Sequence, residues 1–154
     1  MFSIVFPGQG SQKIGMVKEF YEKYDLAKRL FKDADAILNV PITKIIFEGP
    51  EDKLNSTENT QPAIFLASYC IFEIIKKEFG YDFKKFKYFA GHSLGEYSAL
   101  ACVGSISFEE TLKILQKRGK FMQEAVPNGE GAMLVVLGMA STELDKILEM
   151  NIKK

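Results

Sequence analysis

The segment Gly91-His92-Ser93-Leu94-Gly95 places one hydroxyl between two glycines, with a short apolar run before it and a small-residue helical pattern after it. A G-x-S-x-G segment at a strand-to-helix turn forms a nucleophile elbow. Its glycines remove side chains that would collide in the strained turn, and the serine oxygen lies beside the positive end of the following helix. The chemistry available there is acyl transfer through an acyl-serine. Without its flanking elements the same pattern reads as a plain glycine turn, so the strand and the helix carry the argument. His92 is the only histidine of the chain. Adjacent residues diverge at a sharp turn and triad bases arrive from distant segments, so His92 is assigned a packing or orienting role. Ser93 is left without an obvious base in these 154 residues.

Arg118 is the second residue of interest. On the helix predicted from 108 to 125 the apolar stripe runs Phe108, Leu112, Leu115, Gly119, Met122, with Lys113, Gln116, Lys117, Lys120 and Gln123 mostly opposite. Arg118 falls on the buried edge of that stripe, three residues after Leu115 and four before Met122. A buried unpaired guanidinium costs several kcal/mol, so an anion is required. Two readings stay open: a structural ion pair or a snorkelling side chain, and a fork that grips a substrate carboxylate bidentately.

The elements that must position these groups follow from periodicity and breakers. Residues 2–6 read as a buried strand ending in the loop Pro7-Gly8-Gln9-Gly10. Two helical stretches follow between about 16 and 38, the second with Leu26, Leu30, Phe31, Ala34 and Leu38 in phase. Residues 50–60 read as polar and broken, and a strong helix is expected from Pro62 to Glu78, with proline in its first turn. A second buried strand over 88–90 leads through Ser93 into a helix over 94–102 closed by Gly104. Ser107 with Glu110 predicts a capping box for the helix ending near Ala125. After Pro127-Asn128-Gly129 the character changes to an apolar strand over 132–137 and an amphipathic helix opening at Ser141. The expected organisation is an α/β core over 1–127 and the start of a second unit over 128–154.

Composition narrows the function classes. At 47% hydrophobic and 26% charged residues the chain is an ordinary globular protein. Its 20 basic residues balance 20 acidic ones without a basic stripe, which argues against a nucleic-acid binder. No apolar stretch reaches the ~20 residues of a membrane span and no signal peptide opens the chain, so a cytoplasmic protein is expected. Cys70 and Cys102 lie in apolar helical patterns and form no C-x-x-C, which makes them core thiols and leaves no metal site.

These residues together resemble the malonyl-CoA:acyl-carrier-protein transacylases of bacterial fatty-acid synthesis and the acyltransferase domains of fatty-acid and polyketide synthases. The matching segments are 6–12 (FPGQGSQ), 60–63 (TQPA), 91–100 (GHSLGEYSAL) and 118–127 (RGKFMQEAVP), in order along the chain. The resemblance implies an α/β fold with a parallel-sheet, hydrolase-like large subdomain, incomplete here, and the start of a small ferredoxin-like subdomain near Ala132. It implies that malonyl-CoA acylates Ser93, that the amides of Gln9 and Leu94 form the oxyanion hole, and that Arg118 clamps the malonyl carboxylate. Gly91, His92, Gly95 and Met122 would support these groups. The phosphopantetheine thiol of acyl carrier protein would then accept the malonyl group, with no bound cofactor. The resemblance covers half of the family's domain, and the histidine that activates the serine is expected from the other half, so the 154 residues by themselves are expected to be inactive. Two further readings are a serine esterase, which has no need of Arg118, and a non-catalytic fragment that binds acyl carrier protein.

Overall fold

A computed structural model describes residues 2–126 and 136–152. The chain is mostly helical around a small parallel sheet. Strand β1 (Ser3–Phe6) is followed by α1 (Lys18–Lys23), α2 (Asp25–Leu38), α3 (Ile42–Glu48), α4 (Glu51–Asn55) and α5 (Thr57–Glu78). A single 3-10 turn at Phe83–Lys85 leads into β2 (Tyr88–Gly91), α6 (Leu94–Cys102), α7 (Phe108–Ala125) and α8 (Ser141–Ile152). β1 and β2 pair in parallel, with Ser3 opposite Tyr88 and Phe6 opposite Gly91. Among the described residues, no helix is long and apolar enough to cross a membrane.

The central helix α5 is buried continuously from Thr60 to Ala67. It is enclosed by α2, α6 and α7. α2 turns Leu26, Ala27, Phe31, Ala34 and Leu38 inward at the spacing its sequence predicts, with Leu30 half-buried. α3 adds Ile42, Ile45 and Ile46 to the same core. Ser107 caps α7 as expected: its Oγ accepts from the Glu110 amide at 3.1 Å while Glu110 Oε2 accepts from the Ser107 amide at 3.2 Å.

Two expectations are corrected. The polar stretch 50–60 is not a break, because α4 occupies Glu51–Asn55 and α5 begins at Thr57, leaving Pro62 inside the helix. The polar side chains tie the start of α5 down: Thr60 Oγ1 donates to the Leu54 carbonyl at 2.6 Å, and Asn59 Nδ2 donates to the Lys53 carbonyl at 3.0 Å. The strands, expected to be buried, are covered on one face only. Phe6 packs with Phe72 and Ala99 beside Ile4 and Phe89, whereas Val5 is 73% and Tyr88 54% exposed. Alternating side chains of a two-stranded sheet reach the helices from one side, and nothing among the described residues covers the other. The strand predicted over 132–137 falls mostly on 132–135, outside the described residues, while the helix predicted from Ser141 is present as α8.

Candidate functional site

Ser93 stands between the end of β2 and the start of α6, with φ 54° and ψ −113°. A non-glycine residue at positive φ is strained, and the surroundings must hold it there. Backbone hydrogen bonds fix both sides of the turn: Gly95 N donates to the His92 carbonyl at 2.9 Å and Glu96 N to the Ser93 carbonyl at 3.1 Å. The two glycines of the motif are required by backbone contact. A Cβ at Gly91 would overlap the carbonyl group of Gly95, and one at Gly95 would lie 2.6 Å from the Phe6 carbonyl oxygen. The first turn of α6 therefore sits directly on the tips of both strands.

The loop after β1 is drawn to the same place. His92 N donates to the Phe6 carbonyl at 3.1 Å, and the His92 ring fills the space where a Gly8 side chain would stand. Loop residues brace one another and the α4–α5 corner. Ser11 Oγ donates to the Gly8 carbonyl at 2.8 Å, Gly10 N to Gln12 Oε1 at 2.8 Å, and Gln12 Nε2 to Asn55 Oδ1 at 2.8 Å. Gln9 Nε2 reaches Thr57 Oγ1 at 3.5 Å. The amides of Gln9 and Leu94 donate to no acceptor among the described residues. His92 makes no hydrogen bond to Ser93 and packs against Gly8.

Arg118 is brought to Ser93 by the crossing of α7 and α5. The helices touch at Gly119, where a Cβ would overlap the Thr57 carbonyl oxygen. The adjacent guanidinium donates from Nη2 to Ser93 Oγ at 3.1 Å and from Nη1 to Gln61 Oε1 at 2.7 Å. Tyr97, four residues beyond Ser93 on α6, lies beneath it with its ring centre 5.8 Å from Cζ. Among the described residues no carboxylate forms a salt bridge with Arg118. The half-buried cation is thus held by neutral partners. Met122 is 42% exposed, and its Sδ accepts from Gln61 Nε2 at 3.3 Å. Both cysteine thiols are pushed up to about 12 by burial, so neither competes with Ser93 as a nucleophile.

The expected residues Ser93, His92, Gly91, Gly95, Leu94, Gln9, Arg118 and Met122 therefore gather around one turn and the helix crossing beside it. Sequence reasoning did not assign Gln61 or Tyr97 to the site. The signal for Gln61 is a carboxamide inside an otherwise apolar helical run; Tyr97 follows Ser93 by one helical turn.

Residues 3–151 match the acyl transferase domain family. The malonyl CoA-acyl carrier protein transacylase of Bacillus subtilis strain 168 is 47% identical over 148 residues, covering 96% of this chain and 45% of that protein. A solved structure of the malonyl CoA-acyl carrier protein transacylase from Coxiella burnetii superposes with a TM-score of 0.87 at 42% identity, over 97% of this chain and 46% of the other. A structure described as a type II polyketide synthase acyl-carrier protein in complex with its malonyl-transacylase superposes equally well, at 40% identity over 97% of this chain and 47% of its own. This chain spans just under half the length of the relatives it matches. With nearly all of its residues matched, the chain belongs to the acyl transferase domain family.

Proposed function

We propose that this chain carries the nucleophile and the carboxylate-binding arginine of an S-malonyltransferase that moves a malonyl group from malonyl-CoA to acyl carrier protein. The observation that carries the reading is the Arg118 guanidinium 3.1 Å from Ser93 Oγ, without a carboxylate partner among the described residues. A plain esterase has no use for a sheltered cation there. An acyl group ending in a carboxylate supplies the anion it lacks.

In the first half-reaction Ser93 Oγ attacks the thioester carbonyl, its proton passes to a base, and the coenzyme A thiolate leaves. The developing oxyanion is met by the amides of Gln9 and Leu94, one on the braced loop and one at the start of α6. In the second, the phosphopantetheine thiol attacks the acyl-serine and Ser93 regains its proton. His92 packs on Gly8, so the base is assigned to a part of the enzyme other than these residues, and the 154 residues alone are expected to turn over negligibly. Similarity to a transacylase solved with its carrier protein supports acyl carrier protein as the acceptor. On this reading residues 1–127 are the first part of a hydrolase-like core in a cytoplasmic enzyme, and 128–154 open a ferredoxin-like unit.

The test is acylation. In the complete enzyme malonyl-CoA should label Ser93 by peptide mass spectrometry, and Ser93→Ala should lower transfer by roughly 10³- to 10⁶-fold. Arg118→Ala should lower kcat/KM for malonyl-CoA by roughly 30- to 1000-fold, the worth of a sheltered bidentate pair, and affect acetyl-CoA far less. Equal losses for both substrates would reduce Arg118 to a structural role.

A further inference from the structure

Gln61 is fully buried on α5, yet its carboxamide is spent entirely on the site. Its oxygen accepts from Arg118 Nη1 at 2.7 Å and its nitrogen donates to Met122 Sδ at 3.3 Å. The orientation of that amide follows from its neighbours. A guanidinium can only donate and a thioether can only accept, so the oxygen must face Arg118 and the nitrogen Met122. Met122 follows Arg118 by one turn of α7, and a single Gln61 side chain therefore ties down two successive positions of the same helical face.

We propose that Gln61 is a positioning residue that fixes the Arg118 fork while leaving its charge uncompensated, so that selectivity for a terminal carboxylate depends on a neutral partner at position 61. This rests on the reading of Arg118 as a carboxylate site. The residue type matters more than its shape. A glutamate of almost the same size would also accept from Nη1, but it would close an internal salt bridge at a buried position and cancel the positive charge that a substrate carboxylate must find. An apolar residue would leave Nη1 without a partner and let the fork rotate. Gln61 avoids both outcomes: Nη1 is anchored by the protein, whereas among the described residues Nη2 is held only by the exposed Ser93 hydroxyl, which an incoming anion can replace.

The side-chain NMR signals of arginine test this directly in the chain itself. The sequence contains one other arginine, Arg29, which is exposed on α2 and serves as an internal reference; Arg118→Lys assigns the signals. In the wild type the Arg118 Nη resonances should be resolved by slow rotation and should shift on titration with malonate, with acetate as control. In the near-isosteric Gln61→Met the Nη resonances should collapse toward those of Arg29. In Gln61→Glu they should stay resolved while the dissociation constant for malonate rises at least about ten-fold. Restricted rotation that persists in Gln61→Met, or malonate binding unchanged in Gln61→Glu, would overturn the proposal. A wild type that ignores malonate, with rotation still released in Gln61→Met, would instead sink the carboxylate reading and support the anchoring role.

Discussion

Around Phe31 the rings close on one another: Phe47 stacks on it at 5.2 Å, Tyr21 meets it edge-on at 5.5 Å, and Phe31 itself exposes nothing. Across the molecule Val5 leaves 73% of its surface open on a sheet that, among the described residues, has two strands. The helical region is a closed core, and the sheet is a surface that the described residues cover on one face. The site straddles the two. Arg118 and Gln61 belong to the α5–α7 crossing and inherit its rigidity. Ser93 belongs to the tip of the sheet and is held by backbone contact among Gly91, Gly95 and Phe6 rather than by side-chain packing. A strained residue at positive φ can thus sit at the edge of a sheet that the described residues cover on one face, because the backbone contacts that hold it come from its own turn and the adjacent strand tip.

The contrast can be broken first where it is strongest. Phe31→Ala should cost roughly 3–5 kcal/mol in urea or thermal unfolding, the range for emptying a closed aromatic site. A loss below about 1 kcal/mol would mean that the helical core is far looser than its ring contacts indicate.

The helical region was also the more legible in sequence. The stripe of α2, the bounds of α6 and α7 and the capping box are all set by local periodicity and by two residues three apart, information contained within each segment. The fate of residues 50–60 was not legible, because Asn59 and Thr60 find their acceptors on Lys53 and Leu54, partners visible only once α4 is folded beside α5. The strands misled for a related reason: an apolar run such as 2–6 reports a tendency to be buried, and whether both faces are covered depends on elements elsewhere. Within the site, the glycines and Ser93 could be read from motif and flanking elements, and Arg118 from its helical phase. Gln61 stands out in sequence as a carboxamide in an apolar helical run, but its place in the site could not be read, since that depends on its two partners on another helix.

An intermediate effect is expected at the start of α7, where stability comes from caps rather than from packing. Ser107→Ala should destabilise by about 1 kcal/mol at neutral pH, the usual worth of an N-cap. Hydrogen bonds from Ser107, its hydroxyl first and its backbone amide second, hold the Glu110 carboxyl below the usual carboxylate range. A folded-state pKa below the unfolded one stabilises above the unfolded value, near 4.3 for glutamate, and that contribution fades as pH falls through the folded value. The gap between wild type and Ser107→Ala should therefore narrow in acid, measured as the difference in melting temperature between about pH 7 and pH 3. A gap that stays constant with pH would place the whole effect on the serine and none on its partnership with Glu110.

The smallest effect is expected on the open sheet face, and it tests the comparison itself. Val5 points away from Phe6 and the helices, beside Ala90 and the 54%-exposed Tyr88 across the strand pair. Replacing it with serine removes apolar surface that is mostly in water already and leaves the pairing with β2 intact. Val5→Ser in the 154-residue chain should therefore shift stability by less than about 0.5 kcal/mol, as for other surface changes. The same reasoning reverses if another segment or molecule lies on that face. A covered valine is worth about 1.5–3 kcal/mol relative to an exposed one, and the serine hydroxyl would need a partner. The substitution thus reads out what covers the sheet: a near-zero cost by chemical denaturation marks the face as open in solution, and a cost above about 1.5 kcal/mol would show that β1 and β2 are part of a larger packed layer.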